Sequence, residues 1–285
     1  MVFRNRLFAV SLALAGLLGC ADLNARSDNI AAGEKFEPVR GQSGKDVIWI
    51  PTPTGVVNEM LRMAQVKSSD VVYDLGAGDG IIAITAAKEF GARAVGIEYN
   101  PQMAQFAQAN AQKAGVADKV KIIAGDIFAE NFSEASVVTM YLLPALNLKL
   151  RPTLLKMKPG TRVVSHAFDM AEWEPDEKST AAGGSAYLWI VPAQAAGQWE
   201  LKGVGGPAPA RVSIEQSFQR VGGTFTQGGT TQPLLGAQLR GDQLSFQVMG
   251  PDKALQTVTA TVKGKDLTGT VKAAGDSRMV QGRRV

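Results

Sequence analysis

Two acidic residues flank a glycine-rich turn in the stretch DLGAGDG, which runs from Asp74 to Gly80. Asp74 ends the short apolar run Val71–Tyr73, and a second apolar run with helical character begins at Ile81. Glycines permit a tight turn and let a ligand approach the backbone closely. The order of strand, glycine turn and helix is therefore typical of a loop that holds a nucleotide-like ligand, although a glycine turn taken alone can also be simply a turn.

The spacing of these glycines argues against a dinucleotide. The dinucleotide fingerprint is G-x-G-x-x-G, which places a pyrophosphate at a helix N-terminus. This chain has G-x-G-x-G, with the carboxylates of Asp74 and Asp79 beside it. Two carboxylates would repel a pyrophosphate, but they suit a ligand that carries a cationic amino group and a sulfonium. S-adenosylmethionine carries both, so we predict it as the cofactor.

Further acids follow the next two predicted strands. Glu98 ends the run that begins at Arg93, and Asp126 follows the run Val120–Ile123. A carboxylate at Glu98 can accept hydrogen bonds from two ribose hydroxyls, and one at Asp126 is placed to bind the adenine amino group. Either acid alone could be a solvated loop residue. The ordered set is less easily explained by chance, because open α/β sheets bind ligands at the carboxyl ends of their strands.

The patterns around these residues predict two kinds of structure. Apolar strands alternate with helical patterns from Val47 to about Asp176, which indicates a parallel sheet with crossover helices. Short alternating runs separated by glycine-rich turns, including 240–242 and 263–266, follow from about Ala186. We therefore predict a Rossmann-like α/β domain over 46–185 and a small antiparallel all-β domain over 186–285. Residues 21–45 are polar and aperiodic, which favours a flexible tether.

The first 20 residues resemble an export signal. Arg4 and Arg6 precede the uncharged apolar run Leu7–Gly19, and Cys20 follows. The run is shorter than the ~20 residues that a membrane span requires but has signal-peptide length. A cysteine after a small residue resembles a bacterial lipobox, so we predict lipidation at Cys20, with an ordinary cleaved signal or a misassigned start as alternatives. The expected location is a membrane-anchored lipoprotein or the periplasm, and the cytoplasmic side stays open.

Composition excludes several other classes of function. The net charge of +4 over 285 residues is slight, and no block of like charge stands out, so we expect no nucleic-acid partner. One histidine argues against a histidine-based metal site, and we expect no metal. One cysteine excludes an internal disulfide.

The motifs resemble those of class I S-adenosylmethionine-dependent methyltransferases. Within that class they are most similar to the small protein-lysine methyltransferases that modify the ATP synthase c-subunit and the adenine nucleotide translocator, and to bacterial relatives. The segments that carry the resemblance are IPTPTGVVNEML, DLGAGDG, GIEYNP, LKLRPTLLKMKPGTRVVSHAF and the W-x-P at 173–175. It spans roughly residues 47–176. Two positions depart from the family pattern, since Ile81 and Ala167 stand where the family usually has an arginine and a basic residue.

The resemblance implies a set of site residues. The implied cofactor-binding residues are Tyr73, Asp74, Gly76, Ala77, Gly78, Glu98, Tyr99, Asp126 and Ile127. The segment Pro51-Thr52-Pro53 is expected to close over the cofactor or the substrate. Pro144 is expected to face the acceptor, because the segment after the fourth strand usually does so.

Methyl transfer is an in-line displacement that mainly requires alignment of donor and acceptor. Tyr141 is the best candidate for orienting the nucleophile, although a core tyrosine is an equal alternative; His166, at the end of the fifth strand, favours a structural role. The absence of a [DN]-P-P-[YF] motif counts against an adenine acceptor. We predict a methyltransferase with a protein lysine as the favoured acceptor. The alternatives are an exported, non-catalytic binding lipoprotein of the same fold and, last, aminopropyl transfer.

Overall fold

The computed structural model describes residues 36–285. Four helices belong to its N-terminal part: α1 (Thr54–Met63), α2 (Ile81–Phe90), α3 (Pro101–Lys113) and α4 (Pro144–Leu154). They accompany a first sheet with the strands β1 (Val71–Leu75), β2 (Arg93–Glu98), β3 (Val120–Ala124), β4 (Val137–Met140), β5 (Arg162–His166), β6 (Glu177–Ser179) and β7 (Ala186–Ile190).

The strand order of this sheet is β3-β2-β1-β4-β5-β7-β6. The first five strands in that order are mutually parallel. The pair β6 and β7 closes the sheet in antiparallel fashion beside β5. Because β1 to β5 are parallel, their carboxyl ends lie along one edge of the sheet. The prediction of a Rossmann-like α/β methyltransferase fold is confirmed.

The helix boundaries around the site have clear local causes. The side chain of Asn100 accepts hydrogen bonds from the backbone N–H groups of Gln102 and Met103, and Pro101 occupies the first position of α3. Gly91 ends α2 in the left-handed conformation, with φ of 72°. Residue types of this kind are typical of helix ends. They fix where the chain leaves the helices and enters the strands that carry the acids.

The second sheet is antiparallel throughout. Its strands are β8 (Gly197–Lys202), β9 (Ala210–Ser217), β10 (Arg220–Gln227), β11 (Thr230–Pro233), β12 (Leu235–Arg240), β13 (Gln243–Met249), β14 (Leu255–Lys263), β15 (Asp266–Ala273) and β16 (Asp276–Arg284). Their order is β11-β10-β9-β8-β16-β15-β14-β13-β12. The Gln232 side chain hydrogen-bonds the Met249 backbone in both directions, which brings the two ends of the sheet together. The result is a barrel-like sheet around an apolar interior that includes Trp199, Phe225 and Phe246.

Two boundaries differ from the predictions. Ala186–Ile190 pairs with β5 and so belongs to the first sheet, whereas the all-β region begins at β8. The last part of the predicted tether also packs on the fold, because Phe36 contacts the ring of Phe106 and Lys45 reaches Asp126. The turns predicted at 240–242 and 263–266 are confirmed. No helix within residues 36–285 is long and apolar enough to cross a membrane.

Candidate active site

A cavity of about 250 Å³ opens at the carboxyl edge of the parallel strands. Most of the predicted site residues line it together. These are Pro51, Thr52, Asp74, Gly76, Ala77, Gly78, Glu98, Tyr99, Asp126, Ile127 and Tyr141. The parallel topology explains the convergence, since the residues that follow β1, β2, β3 and β4 meet at the same edge.

The glycine turn after β1 is held by the neighbouring strand. The backbone N–H groups of Gly76 and Ala77 both donate to the carbonyl of Ile97, at 2.9 and 3.0 Å. Gly78 has a φ of 54°, and a Cβ added there would lie 2.5 Å from the indole nitrogen of Trp49. Position 78 therefore requires glycine both for its left-handed backbone and for its close approach to Trp49.

Asp74 is the most strongly perturbed acid of the cavity. Its side chain is buried, and the Thr139 hydroxyl donates to its Oδ1 at 2.8 Å. Burial raises the pKa of Asp74 to about 7; the bond from Thr139 opposes this rise, and the charges of Asp79 and Glu98 add to it. Burial also raises the pKa of Asp79. A cationic ligand beside Asp74 would favour its ionised form.

Glu98 is oriented by two backbone donors. Its Oε2 accepts from the N–H of Gly78 and its Oε1 from the N–H of Asn100, both at 2.9 Å. A carboxylate has about four acceptor positions, so each oxygen can still accept one more hydrogen bond. The glycine turn and the end of β2 thus aim this carboxylate together.

Asp126 is engaged by a segment that sequence reasoning did not assign to the site. Its Oδ1 accepts from the N–H of Phe128 at 2.9 Å, and its Oδ2 lies 2.7 Å from the Lys45 ammonium. The ion pair with Lys45, followed by the bond from Phe128, holds the pKa of Asp126 below its ordinary value. The same ammonium lies 4.8 Å from the centre of the Tyr99 ring.

Lys45 stands at the tip of a short hairpin, residues 41–49, which contributes to the cavity wall. Gly41 donates to the carbonyl of Trp49 at 2.8 Å, and Trp49 donates to that of Gln42 at 2.9 Å. The signal that could have revealed the hairpin is the Gly44-Lys45-Asp46 turn just ahead of Pro51. Its polar composition instead suggested a tether.

Another part of the cavity wall is apolar and aromatic. The Tyr141 ring lies 4.0 Å from the His166 imidazole and stacks on Phe168, with centroids 6.4 Å apart. Leu142, Leu143, Leu146 and Phe168 complete this wall, which we call the acceptor wall. His166 lies behind Tyr141 and outside the cavity lining, and burial lowers its pKa.

Some predicted residues lie elsewhere. Tyr73 points to the face of β1 opposite to Asp74, because side chains alternate along a strand, and its hydroxyl donates to Glu134 at 2.8 Å. Tyr73 was predicted to bind the cofactor, but its side chain does not line the cavity. Pro53 and Pro144 are exposed at the starts of α1 and α4 and do not line the cavity. Cys20 lies outside the described residues.

Comparison with known proteins identifies the fold and the chemistry. A family model described as the ANTKMT methyltransferase domain matches residues 74–177. A protein-lysine N-methyltransferase of Saccharolobus islandicus is 46% identical over 151 residues, which are 51% of this chain and 94% of that protein. The chain belongs to this methyltransferase family.

More distant and structural relatives agree with this assignment. A Mus musculus lysine N-methyltransferase named for the c-subunit of ATP synthase is 32% identical over 142 residues, and the match spans half of this chain and 56% of that protein. A crystal structure described as an RNA methyltransferase from Salinibacter ruber, in complex with S-adenosyl-L-homocysteine, is 51% identical and covers 51% of this chain and 95% of that chain, with a TM-score of 0.50. The chain is an S-adenosylmethionine-dependent methyltransferase.

The residues of the cavity fit this cofactor. Three carboxylates, at Asp74, Glu98 and Asp126, face it at the ends of three successive strands. They match in type the three polar parts of S-adenosylmethionine, which are a cationic amine, a ribose diol and an adenine amino group. The glycines beside them, Gly76 and Gly78, have the positive φ values that the tight turn requires. Within residues 36–285 no group of three or more His, Cys, Asp or Glu side chains could hold a metal ion.

Proposed function

We propose that this methyltransferase acts on the side-chain amine of a protein lysine. The observation that carries the proposal is the acceptor wall, where Tyr141, Leu143 and Phe168 line the same cavity as the three carboxylates. Such a wall fits the four methylene groups of a lysine, which pack on apolar surface while the amine projects beyond them. The 46% identity to a protein named for lysine methylation supports the same acceptor.

Each cavity residue then has a role. Asp74 accepts the cationic amine of the cofactor, Glu98 accepts the ribose hydroxyls, and Asp126 accepts the adenine amino group. Gly76, Ala77 and Gly78 form the turn beside the cofactor, and Tyr99 and Ile127 flank the nucleoside. Tyr141 orients the acceptor nitrogen.

Methyl transfer requires little more from the protein than the alignment of donor and acceptor. When bound, the cofactor would supply a methyl group on a sulfonium, whose neutral thioether is an excellent leaving group. The acceptor nitrogen must arrive uncharged, so that its lone pair can form the new C–N bond as the C–S bond breaks. An apolar wall favours the uncharged amine over the ammonium. Tyr141 can hold the nitrogen by a hydrogen bond, and alignment of this kind accounts for much of the rate in such reactions.

RNA is the second candidate acceptor, because the 51% identical Salinibacter ruber protein is described as an RNA methyltransferase. The charge of the domain favours lysine. Residues 36–196 carry seventeen acidic and fifteen basic side chains, a net charge of −2. RNA binding depends largely on neutralising phosphates with basic residues, whereas a slightly acidic domain attracts a cationic side chain.

The test is methyl transfer from labelled S-adenosylmethionine to poly-L-lysine, to a total protein extract and to total RNA. Label recovered as N-methyl-lysine after acid hydrolysis is the expected result, and Tyr141→Phe should reduce it. Label recovered in nucleotides, with none in lysine, would replace the protein acceptor by RNA. Calorimetry with S-adenosyl-L-homocysteine serves as the control for an intact cofactor site.

We also propose that the chain is exported and anchored through Cys20. The support is the sequence pattern of a basic start, a short apolar run and a cysteine after Gly19. In bacterial cells, Cys20→Ala should abolish globomycin-sensitive processing and release the protein from the membrane fraction. Unchanged processing of the variant would indicate an ordinary cleaved signal, and absence of processing would indicate a cytoplasmic protein.

A further inference from the structure

The hairpin between β9 and β10 joins the two sheets. Its two-residue turn is Phe218-Gln219, and the Phe218 ring stacks on Trp173, with centroids 6.2 Å apart and planes inclined by 17°. The Arg151 guanidinium lies 5.8 Å from the same ring. Trp173 belongs to the methyltransferase core, and Arg151 belongs to α4. The tip of this hairpin therefore packs against the loop after β5 and against α4, and both segments contribute residues to the cavity lining.

Phe218 has a φ of 54°. The left-handed region is a genuine outlier for a bulky residue and persists where the surroundings fix it. The Gln216 side chain supplies part of that restraint, since it donates to the carbonyls of Phe218 at 2.7 Å and Ala193 at 2.9 Å. The conformation of the tip is thus tied to the segment that connects the two sheets.

The tip also holds the loop that follows β5. Gln219 donates to the carbonyl of Glu174 at 2.7 Å, and Arg220 forms an ion pair with the carboxylate of the same residue. An exposed ion pair contributes little by itself. Combined with the stack of Phe218 on Trp173, these bonds engage two residues of the loop 167–175 from the side away from the cavity.

The same loop is tied to α4, and both segments form the acceptor wall. Arg151 donates to the carbonyl of Met170 at 2.9 Å and to Glu172 at 2.6 Å. One turn earlier, Asn147 donates to the carbonyls of Phe168 and Asp169, both at 3.2 Å. Phe168, from the loop, and Leu146, from α4, line the cavity. A continuous set of contacts therefore runs from Phe218 to the acceptor wall.

We infer that the β9–β10 hairpin of the C-terminal sheet is a positioning element for the acceptor side of the methyltransferase cavity. Phe218 acts through Arg151 and Trp173, which fix the loop 167–175 and hence the Phe168 ring. The carboxylates of the cofactor side stand at the ends of β1, β2 and β3 and share none of these contacts. The inference rests on the proposed function in one respect, because it takes the Phe168 wall as the acceptor side.

If so, a change in the hairpin should affect the KM for the acceptor but not the affinity for the cofactor product. Loss of the Phe218 ring should raise the KM for an acceptor by about tenfold, because a displaced wall packs less closely on the acceptor chain. The dissociation constant of S-adenosyl-L-homocysteine should change by less than about twofold, because no residue of the cofactor side is touched.

The experiment compares the full chain with Phe218→Ala, Phe218→Tyr and Met279→Ala. Phe218→Tyr keeps the stacked ring and should restore the native KM, and Met279 is an exposed apolar side chain on β16 that serves as the control. Three quantities are measured: the KM for poly-L-lysine, the calorimetric affinity for S-adenosyl-L-homocysteine, and amide hydrogen exchange over residues 167–175. We expect faster exchange and a raised KM in Phe218→Ala alone.

Unchanged exchange in this loop, or an affinity for S-adenosyl-L-homocysteine that falls in parallel with the rise in KM, would overturn the inference. If Phe218→Ala does not fold, the double variant Gln219→Ala, Arg220→Ala tests the same loop from the hairpin surface. If the native protein does not methylate poly-L-lysine, the lysine proposal fails. The exchange and affinity measurements still decide the role of the hairpin in that case.

Discussion

The two sheets of this protein distribute their polar residues in opposite ways. In the first sheet, Asp74 and Glu98 stand at the carboxyl ends of β1 and β2, and both face the cavity. The carboxyl ends of parallel strands all lie at one edge of the sheet, so the residues that can bind a ligand meet at that edge. The strands of the second sheet alternate in direction, and their inward side chains, such as Trp199 and Phe246, form an apolar interior. Its charged residues are all at least partly exposed to solvent.

The two parts of the chain also differ in net charge and in their match to the family model. Residues 36–196 have a net charge of −2, whereas residues 197–285 carry eleven basic and six acidic side chains, a net charge of +5. The family model ends at residue 177, before the second sheet begins. Substitutions of polar residues at the carboxyl edge of the first sheet should therefore change binding more than stability, and substitutions in the apolar interior of the second sheet should do the reverse.

The largest expected effect is on stability and lies in the second sheet. Trp199 is fully buried, and its indole N–H donates to the carbonyl of Ala195 at 2.8 Å. Trp199→Ala should lower the free energy of unfolding by about 3–5 kcal/mol, because it leaves a cavity and an unpaired carbonyl. Denaturant unfolding measures this change. Met279→Ala on the same sheet is the control and should cost less than about 0.5 kcal/mol.

The contrast requires that Trp199→Ala leave the cofactor site intact. At a temperature where the variant stays folded, its affinity for S-adenosyl-L-homocysteine should equal that of the native protein within about twofold. A large loss of affinity would mean that the second sheet supports the carboxylates as well as the acceptor wall.

The next effect is on binding and lies in the first sheet. Glu98→Gln replaces an acceptor-only carboxylate by an amide whose NH₂ group cannot accept from Gly78 or Asn100. S-adenosyl-L-homocysteine should bind on the order of 10- to 100-fold more weakly, as expected for the loss of a charge-assisted hydrogen bond. Calorimetry measures the affinity, with Glu89→Gln on the exposed face of α2 as the matched control. Equal affinities in the two variants would remove Glu98 from the site.

The sequence predicted the cofactor side well, and the reason is topological. Once β1, β2 and β3 are assigned as successive parallel strands, Asp74, Glu98 and Asp126 must meet at one edge. The sequence was a poorer guide where the structure depends on how segments pack against one another. Tyr73 is adjacent to Asp74 in the chain but faces the other side of the sheet. Alternation in Ala186–Ile190 indicates a strand, yet it cannot tell which sheet the strand joins.

The hairpin at 41–49 was missed for a related reason. Its own hydrogen bonds are few, and its position depends on Trp49 packing over Gly78 and on the ion pair of Lys45 with Asp126. Both contacts join residues that are far apart in the chain. The Gly44-Lys45-Asp46 turn is a local signal for a hairpin, but the polar composition around it is equally typical of a tether.

The pH dependence of binding tests the burial of Asp74. Its pKa of about 7 in the free protein means that the carboxyl is increasingly protonated below pH 7. A cationic ligand selects the ionised form, so affinity for S-adenosylmethionine should fall by up to about tenfold for each pH unit below 7. Calorimetry between pH 5 and pH 9 measures it. Asp74→Asn should bind weakly at every pH, and a native profile that is flat in this range would contradict the assignment.

The stability of the unliganded protein should also depend on pH through Asp74, but it should fall as the pH rises, whereas the affinity for the cofactor should increase. Because the folded-state pKa of Asp74 is raised, the unliganded protein gains stability from the neutral form at low pH and loses it as the pH rises through about 7. Asp74→Asn should therefore raise the melting temperature of the unliganded protein more at pH 8 than at pH 5. A melting temperature that responds equally at both pH values would place the ionised carboxylate in a better solvated setting.

The smallest effect concerns Lys45. Its ammonium occupies Oδ2 of Asp126, the atom that an adenine amino group would approach, and its side chain is 40% exposed. Lys45→Ala should tighten the binding of S-adenosyl-L-homocysteine by about two- to threefold at low salt, and the gain should disappear at high salt, because exposed ion pairs are weak and screened. Lys113→Ala at the end of α3 is the matched control. Weaker binding by Lys45→Ala would mean instead that the 41–49 hairpin helps to hold the ligand.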